Sequence, residues 1–578
     1  MREISTDILI LGSGGAGLFA ALHAHKTDPS LSITVAVKGL LGKCGCTRMV
    51  QGGYNVALAR EDSIERHFMD TIEGGKWLPD QELAWKLVTL AVERIRELEN
   101  ELGCFFDRNP DGSVHQKAFA GQTFDRTVHK GDLTGIEIIN RLAEQVWARR
   151  INRLEEHRAV ELIKDEAKSS IAGVLFIDMR TGEYVFVRAR AVLLATGGGP
   201  TMYKYHTPSG DKSCDGLAMA LRAGLSLRDM EMVQFHPTGL FAGAHTRMTG
   251  TVLEEGLRGS GGYLLNGAKE RFMPRYDPLA ERATRDFVSR AMFAEMRQGN
   301  TSPNGGLYIS MSHLDRDLVR KQFRGMVERC ADCGFDLAGG LVEVVPTAHY
   351  MMGGVEFYPD CSTALRGLFV AGEDAGGVHG ANRLGGNGVA NSTVFGAVAG
   401  DTMAEWVPKE GRFRDPDRNA LDQAIQRCEP KGTRSHGAIE PLRERLYEVM
   451  WHKVGIIRDA AGLKAGLAGL SAIEGELDEC GVADADRAFN LTWHDWLNLK
   501  SLAQTSRVIA EAALARTDSR GAHYREDFPE TGALGQSAFT SARLKDGALD
   551  IGMKPVAFTR VRPGESLLGA NVRSARPG

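Results

Sequence analysis

Short apolar runs that each end in glycine mark out the first two thirds of the chain. Residues 7–11 (DILIL) form such a run, which is typical of a strand buried in a parallel sheet. It is followed by GSGGAG at 12–17, by an apolar-faced helical segment and by a second strand pattern at 33–37. Similar strand–glycine patterns occur at 191–199 (AVLLATGGG) and 368–372 (LFVAG). The pattern predicts an N-terminal βαβ unit and an α/β fold.

The pattern also divides the chain, whose 578 residues exceed one ordinary core. We predict a nucleotide-binding domain in two parts, residues 1–242 and 345–414, interrupted by an inserted domain at 243–344 that has helical patterns but no glycine turn. Charged helical segments predict a helical C-terminal domain at 415–529. Residues 530–578 lose clear periodicity and are predicted to form an extended tail.

Composition narrows the function classes. A net charge of −4 gives no electrostatic reason to expect nucleic acid as a partner. No apolar stretch approaches the roughly 20 residues that span a bilayer, so we expect no direct membrane insertion. The nine scattered cysteines favour a reducing, cytoplasmic location over a disulfide framework. Glycine, at 68 residues, exceeds its usual share of about 7% and gathers in clusters, which predicts loops that approach a ligand closely.

A GxGxxG motif is formed by Gly12, Gly14 and Gly17 between the first strand and its helix. Glycine at these positions allows a tight turn, contact with a pyrophosphate and close helix–strand packing. The second strand ends at Lys38 instead of the acidic residue that holds a ribose in NAD enzymes. Several glycine turns distant in the chain suit an extended FAD better than a nicotinamide cofactor.

Seven longer motifs extend this interpretation. They are QGGYNVAL from residue 51, EMVQFHPTG from 231, EEGLRGSGGYLLN from 254, TRDFVSRA from 284, PTAHYMMGG from 346, GANRLGGN from 380 and SRGAHYREDFP from 519. With them the chain resembles, over about residues 4–527, the flavoprotein subunits of succinate dehydrogenase and fumarate reductase and their relative L-aspartate oxidase. The resemblance implies a Rossmann-like FAD-binding domain with an inserted α+β capping domain and a helical C-terminal domain.

The resemblance also implies an activity: FAD-dependent transfer of a hydride between flavin and a four-carbon dicarboxylate, foremost fumarate/succinate. An L-aspartate oxidase-like or other substituted-dicarboxylate oxidase is the alternative. A third hypothesis is a flavin-bearing electron-transfer subunit whose chemistry lies in partner chains. The sequence contains no run of four cysteines at iron–sulfur spacing. A separate iron–sulfur or other electron-transfer protein is therefore the expected partner. Any association with a membrane would be made by that partner and not by this chain.

Site residues follow from the same motifs. By resemblance, His236, His349 and Arg383 hold the substrate carboxylates, and Glu255 and Arg285 deliver a proton. A guanidinium suits a carboxylate because two parallel hydrogen bonds can form. The expected cofactor-binding residues are Gly12, Gly14, Gly15, Gly17, Lys38, Cys46, Thr47, Gln51, Gly52, Gly53, Thr196, Gly197, Gly198, Asp215, Glu373 and Arg383. No metal site is expected.

Two positions depart from the family pattern. Cys46 stands five residues before the QGG, where membrane-bound relatives carry a histidine bonded to the flavin; this predicts noncovalent FAD, with a cysteinyl link as the alternative. Glu254 replaces a threonine that helps to hold a substrate carboxylate. Because two carboxylates repel each other, Glu254 is expected to turn away, to pair with a cation such as Arg247, or to meet a donor group on the substrate.

Overall fold

The computed structural model describes residues 1–243, 246–430, 439–482, 484 and 486–569. Within these residues the strands are β1 (Arg2–Leu11), β2 (Ile33–Ala36), β3 (Tyr54–Asn55), β4 (Gln116–Lys117), β5 (Thr127–Val128), β6 (Asn152–Leu154), β7 (His157–Lys164), β8 (Ile171–Asp178), β9 (Glu183–Leu194), β10 (Leu227–Arg228), β11 (Val233–Leu240), β12 (Tyr263–Leu265), β13 (Leu307–Ser310), β14 (Leu341–Met351), β15 (Gly354–Val355), β16 (Leu368–Val370), β17 (Ala538–Lys545) and β18 (Ala548–Pro555).

The helices are α1 (Gly15–Thr27), α2 (Ile64–Gly74), α3 (Gln81–Asn100), α4 (Thr134–Trp147), α5 (Asp215–Arg222), α6 (Gly256–Gly259), α7 (Arg285–Arg297), α8 (Arg316–Gln322), α9 (Arg324–Asp332), α10 (Asn387–Lys409), α11 (Arg418–Cys428), α12 (Ile439–Lys453), α13 (Ala460–Glu479) and α14 (Leu491–Ala515). Short 3₁₀ helices lie at Cys46–Met49, Met273–Arg275, Ala280–Arg282, Gly372–Asp374 and Leu534–Gln536.

A seven-stranded sheet organises the nucleotide-binding part. Its order is β6-β2-β1-β9-β8-β7, and the C-terminal half of β9 also pairs with β16. Strands β6, β2, β1, β9 and β16 run parallel to one another, whereas β8 is antiparallel to both β7 and β9. The carboxyl ends of β1, β9 and β16 therefore meet at one edge, where the three glycine-rich turns of the sequence come together, as expected for a nucleotide site.

Helix α1 packs unusually close to α10. The backbone of Ala16 and Ala20 lies against Gly396 and Gly400, where an added Cβ would clash with the helix opposite. Small residues four apart allow two helices to approach at backbone distance, so apolar area is buried without large side chains. This contact fixes the start of α1 relative to the sheet.

The inserted segment has its own sheet and core. Strands β11, β14, β13 and β12 form an antiparallel sheet in that order, and residues such as Leu253, Val288, Met292 and Ile309 are fully or almost fully buried against it. The predicted boundary at residue 344 falls inside β14, so this strand runs from the capping sheet directly into the cofactor domain. The domain boundaries themselves remain predictions.

The C-terminal part is helical from α11 to α14, as the charged pattern indicates. The prediction of an extended tail after Pro529 is wrong for residues 538–555, which contain two strands. Strands β17 and β18 pair as a hairpin and join a sheet of order β15-β10-β17-β18. Strand β17 is mostly buried or half-buried, whereas β18 is more exposed. Leu549, Ile551 and Met553 of β18 alternate with polar or small residues, which is a strand signal that the sequence reasoning missed. Residues 570–578 of the predicted tail lie outside the described residues.

In the described part of the chain, no helix combines the length and the apolar character required to cross a membrane.

A buried histidine joins α1, α3 and α10. His23 contacts Asp401 through Nδ1 at 3.0 Å and Glu97 through Nε2 at 3.1 Å, and Arg94 Nη1 lies 3.0 Å from Glu97. Burial lowers the pKa of His23, but the two carboxylates outweigh it and raise the pKa above its ordinary 6.5. They thereby stabilise the charged imidazolium.

The raised pKa predicts a pH-dependent stability. The imidazolium contribution is complete below about pH 6.5 and is lost as pH rises through the higher folded-state value. We expect His23→Gln to lower the free energy of unfolding by about 1–3 kcal/mol at pH 6 and by less at pH 9. Urea unfolding of both proteins across this range measures the difference, and a difference independent of pH would contradict the assignment.

Candidate functional site

The turn between β1 and α1 is built from glycine for steric reasons. Gly12 has φ +114, and a Cβ there would overlap with the carbonyl oxygen of Ala195 on the neighbouring strand. A Cβ at Gly17 would overlap with the carbonyl of Gly12, so the helix rests directly on the strand. The amide of Gly15 points out of the helix and donates to Thr47 Oγ1 at 3.0 Å. This helix N-terminus can hold a phosphate.

One cavity of about 450 Å³ joins this turn to the capping sheet. It is lined by nearly all residues expected from the sequence, namely Gly12, Gly14, Gly15, Lys38, Cys46, Thr47, Gln51, Gly52, Gly53, Thr196, Gly197, Asp215, His236, Glu255, Arg285, His349, Glu373 and Arg383. Gly17 instead packs behind the turn, and Gly198 packs against Met351 and Glu373. The structure thus places residues from distant parts of the sequence around one ligand-sized space.

At one end of the cavity, the carboxylate of Asp215 lies beside Lys38, which follows β2. Strand β2 itself carries no acidic residue. Asp215, the first residue of α5, is 3.0 Å from Lys38 Nζ and 2.8 Å from Arg158 Nη2. Burial raises the pKa of Asp215, but the charges of Arg158 and Lys38 outweigh it and hold the pKa below its usual range. The sequence motif around β2 assigns no acidic residue to the ribose of the cofactor. Asp215, which belongs to α5, supplies a carboxylate at this end of the cavity.

The glycine turn after β9 is held by groups that the sequence reasoning missed. Asp374 accepts hydrogen bonds from the amides of Thr196 at 2.5 Å and Gly197 at 3.2 Å. Lys212 Nζ donates to the carbonyl of Thr196 at 3.0 Å. The LFVAGED pattern was a signal for Asp374, since it follows a strand–glycine turn, but no local pattern indicates Lys212.

Glu255 and Arg285 form a buried ion pair at the other end of the cavity. Arg285 donates to Glu255 Oε2 from Nε at 3.0 Å and from Nη2 at 2.5 Å, and to Gln234 Oε1 from Nη1 at 3.1 Å. Arg258 Nη2 lies 3.2 Å from the second carboxylate oxygen. Burial raises the pKa of Glu255, but Arg285 and Arg258 outweigh it and lower the pKa, so this carboxyl group is ionised at neutral pH.

His236 and His349 face each other from paired strands. Their rings are 5.4 Å apart between centroids, because β11 and β14 pair with His236 opposite Thr347. Burial first, and nearby arginines second, lower the pKa of both rings well below 6.5. Neutral His236 accepts from the amide of Thr238 at Nδ1, at 3.3 Å. Its Nε2 therefore carries the proton and is a hydrogen-bond donor.

Arg383 is a buried cation without an acidic partner among the described residues. Its guanidinium lies over the ring of Tyr350 at 4.4 Å. Among the described residues, its side chain donates one hydrogen bond, from Nη1 to the Leu384 carbonyl at 3.4 Å. Nε has no partner in the described structure. Burial, and then the charge of Arg285, lower the pKa of Arg383 to about 10, so it remains charged at neutral pH and can bind an anion.

Two further lining residues carry a buried polar atom that no described group satisfies. These atoms are Ser13 Oγ, beside the glycine turn, and Gln51 Oε1. Buried polar atoms are normally hydrogen-bonded. With Arg383 Nε, they mark positions along the cavity where a polar ligand would supply the missing partners, as an extended dinucleotide and an anionic substrate would.

Glu254 pairs with a cation, which was one of the three expectations, but the cation is Lys117 and not Arg247. Glu254 is 4% exposed and lines the cavity. Burial raises its pKa, and Lys117 opposes that rise. Because Lys117 neutralises the carboxylate, the site needs no donor group on the substrate at this position. No local pattern indicates this partner, which lies 137 residues away in the sequence.

Cys46 lines the cavity within the 3₁₀ helix Cys46–Met49. Burial raises the pKa of its thiol to about 12. The thiolate, which is the reactive form, is therefore scarce at neutral pH.

The steric role of Gly12 yields a prediction. Gly12→Ala places a methyl group on the Ala195 carbonyl at a backbone angle that alanine rarely adopts, and it displaces the turn. We expect purified Gly12→Ala to retain less than about a tenth of the wild-type flavin per chain, measured by absorbance near 450 nm. Gly103→Ala, at a glycine with open space around it, is the control; equal flavin content in Gly12→Ala and wild type would refute the role.

Comparison with known proteins gives the family. Residues 7–389 match the FAD binding domain model, and residues 443–567 match the fumarate reductase flavoprotein C-terminal model. The chain is 41% identical to one of the subunits of the fumarate reductase (CoM/CoB) of Methanothermobacter marburgensis, over 91% of this chain and 95% of that protein. It is 34% identical to the fumarate reductase flavoprotein subunit of Mycobacterium tuberculosis, over 97% and 99%.

The fold agrees with that assignment. A mutated FrdA chain of Escherichia coli quinol fumarate reductase superimposes with a TM-score of 0.91 at 31% identity, covering 98% of this chain and 99% of that one. The predicted architecture, an FAD-binding domain with an inserted capping domain and a helical C-terminal domain, is thereby confirmed. The chain belongs to the succinate dehydrogenase/fumarate reductase flavoprotein family and is an FAD-dependent oxidoreductase.

Proposed function

We propose that the protein reduces fumarate to succinate, with Arg383, His236 and His349 holding the two carboxylates. The observation that carries this proposal is the unpaired, buried guanidinium of Arg383 beside two neutral histidines. An anion in this space would satisfy Arg383 through paired hydrogen bonds, and the histidine N–H groups would stabilise charge on the second carboxylate. FAD, when bound, supplies or accepts the hydride.

Proton delivery is assigned to Arg285 and Glu255. Arginine is ordinarily always protonated, so a proton can leave it only if another arrives at once. The contact of 2.5 Å between Arg285 Nη2 and Glu255 Oε2 supplies a path for that replacement. Gln234 holds the opposite side of the guanidinium at 3.1 Å, which keeps Nη1 and Nη2 oriented. The resemblance to the family is the source of this role, and the ion pair supports it.

The alternative with an amino-bearing substrate had two supports in the sequence, Cys46 in place of the family histidine and Glu254 in place of threonine. Lys117 pairs with Glu254, which removes the second support. An L-aspartate oxidase-like activity is therefore not proposed.

We infer that the FAD is noncovalent and that the electron donor is a separate iron–sulfur or other electron-transfer protein. The relatives from Methanothermobacter and Mycobacterium are both named as subunits.

Exposed Met49 and Leu133 line the mouth of the cofactor cavity, and Val50 and Gly135 join their segments through a 2.9 Å backbone hydrogen bond. An apolar patch at this mouth suits the docking of such a protein, because electrons then travel a short way to the flavin. The cytoplasmic location of this chain remains a prediction.

Substitution of the two arginines tests the proposed function. Arg383→Ala should raise the Kd for succinate, read from the flavin absorbance change, by about thirtyfold or more, because truncation at a buried charge pair costs about 2–5 kcal/mol. Arg285→Lys should keep succinate binding within about threefold yet reduce kcat for fumarate at least about a hundredfold. Both should retain FAD. Normal fumarate turnover in either variant would overturn the corresponding role.

The state of the flavin is tested by acid precipitation. Because the half-buried thiol of Cys46 has a raised pKa and is protonated at neutral pH, we expect the yellow colour of wild-type protein to remain in the supernatant and Cys46→Ser to bind FAD at the same stoichiometry. Yellow colour in the washed pellet of the wild type, absent from Cys46→Ser, would instead establish a thioether.

A further inference from the structure

The ion pair between Lys117 and Glu254 crosses the boundary between the two lobes of the site. Lys117 ends β4, in the small sheet β3-β5-β4 of the cofactor domain, while Glu254 stands in the inserted segment just before α6. The side chain of Glu254 is 5% exposed and that of Lys117 is 20% exposed. A buried carboxylate of this kind depends on its partner, because one left unpaired is strongly destabilising.

The segment that follows Lys117 touches the proton-delivery pair. A Cβ at Gly385 would lie 2.6 Å from the ring of Phe119, 2.7 Å from Glu255 Oε2 and 3.0 Å from Arg285 Nη2. The Phe119 ring, Glu255 and Arg285 therefore pack around the same glycine. Phe119 also covers Gly52, where a Cβ would lie 2.6 Å from its ring. Residues 117–119 thus hold the ion pair from the cofactor side.

The charges near Glu254 explain why its ion pair with Lys117 affects Glu255. Asp132 and Glu255 repel it, and Lys117 is the cation that neutralises it; Arg329 lines the same end of the cavity and donates to the Val252 carbonyl at 3.1 Å. Without Lys117, the buried carboxylate of Glu254 would be left unpaired beside Glu255 and Asp132. It could reach solvent only if the backbone that continues into Glu255 moved with it.

We propose that Lys117, through its ion pair with Glu254, is a positioning residue that keeps the Glu255–Arg285 pair in place for proton delivery across the lobe boundary. The inference rests on the proposed fumarate reduction. Lys117 does not need to exchange a proton with the substrate. Its contribution is geometric: it neutralises Glu254, so that this carboxylate stays buried and the backbone that begins at Glu255 stays in place, and Phe119 packs beside the pair. A displacement of about 1 Å at a reacting group can cost about a hundredfold in rate.

The test compares wild type with Lys117→Met, Lys117→Arg, Glu254→Gln and the double variant Lys117→Met/Glu254→Gln. Each is loaded with FAD and assayed for fumarate reduction by an artificial viologen donor between pH 6 and 9. Lys130→Met is the matched control, since Lys130 is a half-exposed lysine of the same region that pairs with Asp107 at 3.2 Å. Succinate binding is followed separately by the flavin spectrum.

We expect Lys117→Met to lower kcat by about tenfold to a hundredfold with succinate affinity changed less than about threefold. The loss should deepen as pH rises, because Glu254 is then ionised and, without Lys117, an unpaired buried charge. Lys117→Arg and the double variant should each recover kcat to within about fivefold of wild type, since one restores the positive charge and the other removes both charges. Lys130→Met should match wild type.

Three results would overturn the inference: wild-type kcat in Lys117→Met, a double variant as slow as the product of the two single losses, or a loss confined to succinate affinity. A wild-type enzyme that does not reduce fumarate would instead overturn the proposed function, and the positioning role with it. A wild type that is active but insensitive to Lys117 overturns the positioning role alone.

Discussion

The site depends on one buried positive charge, Arg383, that pairs with no carboxylate among the described residues. Burying an ion is costly unless a partner compensates it, and Arg383 has only an aromatic face and one backbone carbonyl in the described structure. Two carboxylates nearby do have cationic partners: Glu255 pairs with Arg285 and Arg258, and Glu254 pairs with Lys117. The imbalance at Arg383 makes the cavity a site for an anion.

The two lobes contribute different parts of that site. The seven-stranded sheet brings three glycine turns to one edge and so shapes the space for the dinucleotide. The inserted segment carries Glu255 and Arg285. Strands β11 and β14 are shared between the lobes, and their antiparallel pairing places His236 and His349 side by side. Substrate and cofactor can meet because these strands run from the capping sheet to the cofactor domain.

The sequence predicts the parts of the site that local pattern specifies. The strand–GxGxxG–helix unit follows from residue spacing, and the family motifs indicate which polar residues converge. Contacts between distant segments leave no such trace: the partners Lys117 and Glu254 are 137 residues apart, and Lys38 and Asp215 are 177 apart. The β17–β18 hairpin was a miss of another kind, because the alternation of Leu549, Ile551 and Met553 in β18 is a local strand signal.

The most direct test of the account uses the flavin itself as the reporter. The FAD-loaded protein is reduced anaerobically with dithionite, mixed with fumarate in a stopped-flow instrument, and followed near 450 nm, with L-aspartate added to the oxidised enzyme under air as the comparison. The account predicts rapid recovery of the oxidised flavin spectrum with fumarate, with succinate formed in equal amount, and no bleaching by aspartate. A reduced flavin that fumarate does not reoxidise, or bleaching by aspartate with formation of peroxide, would contradict it.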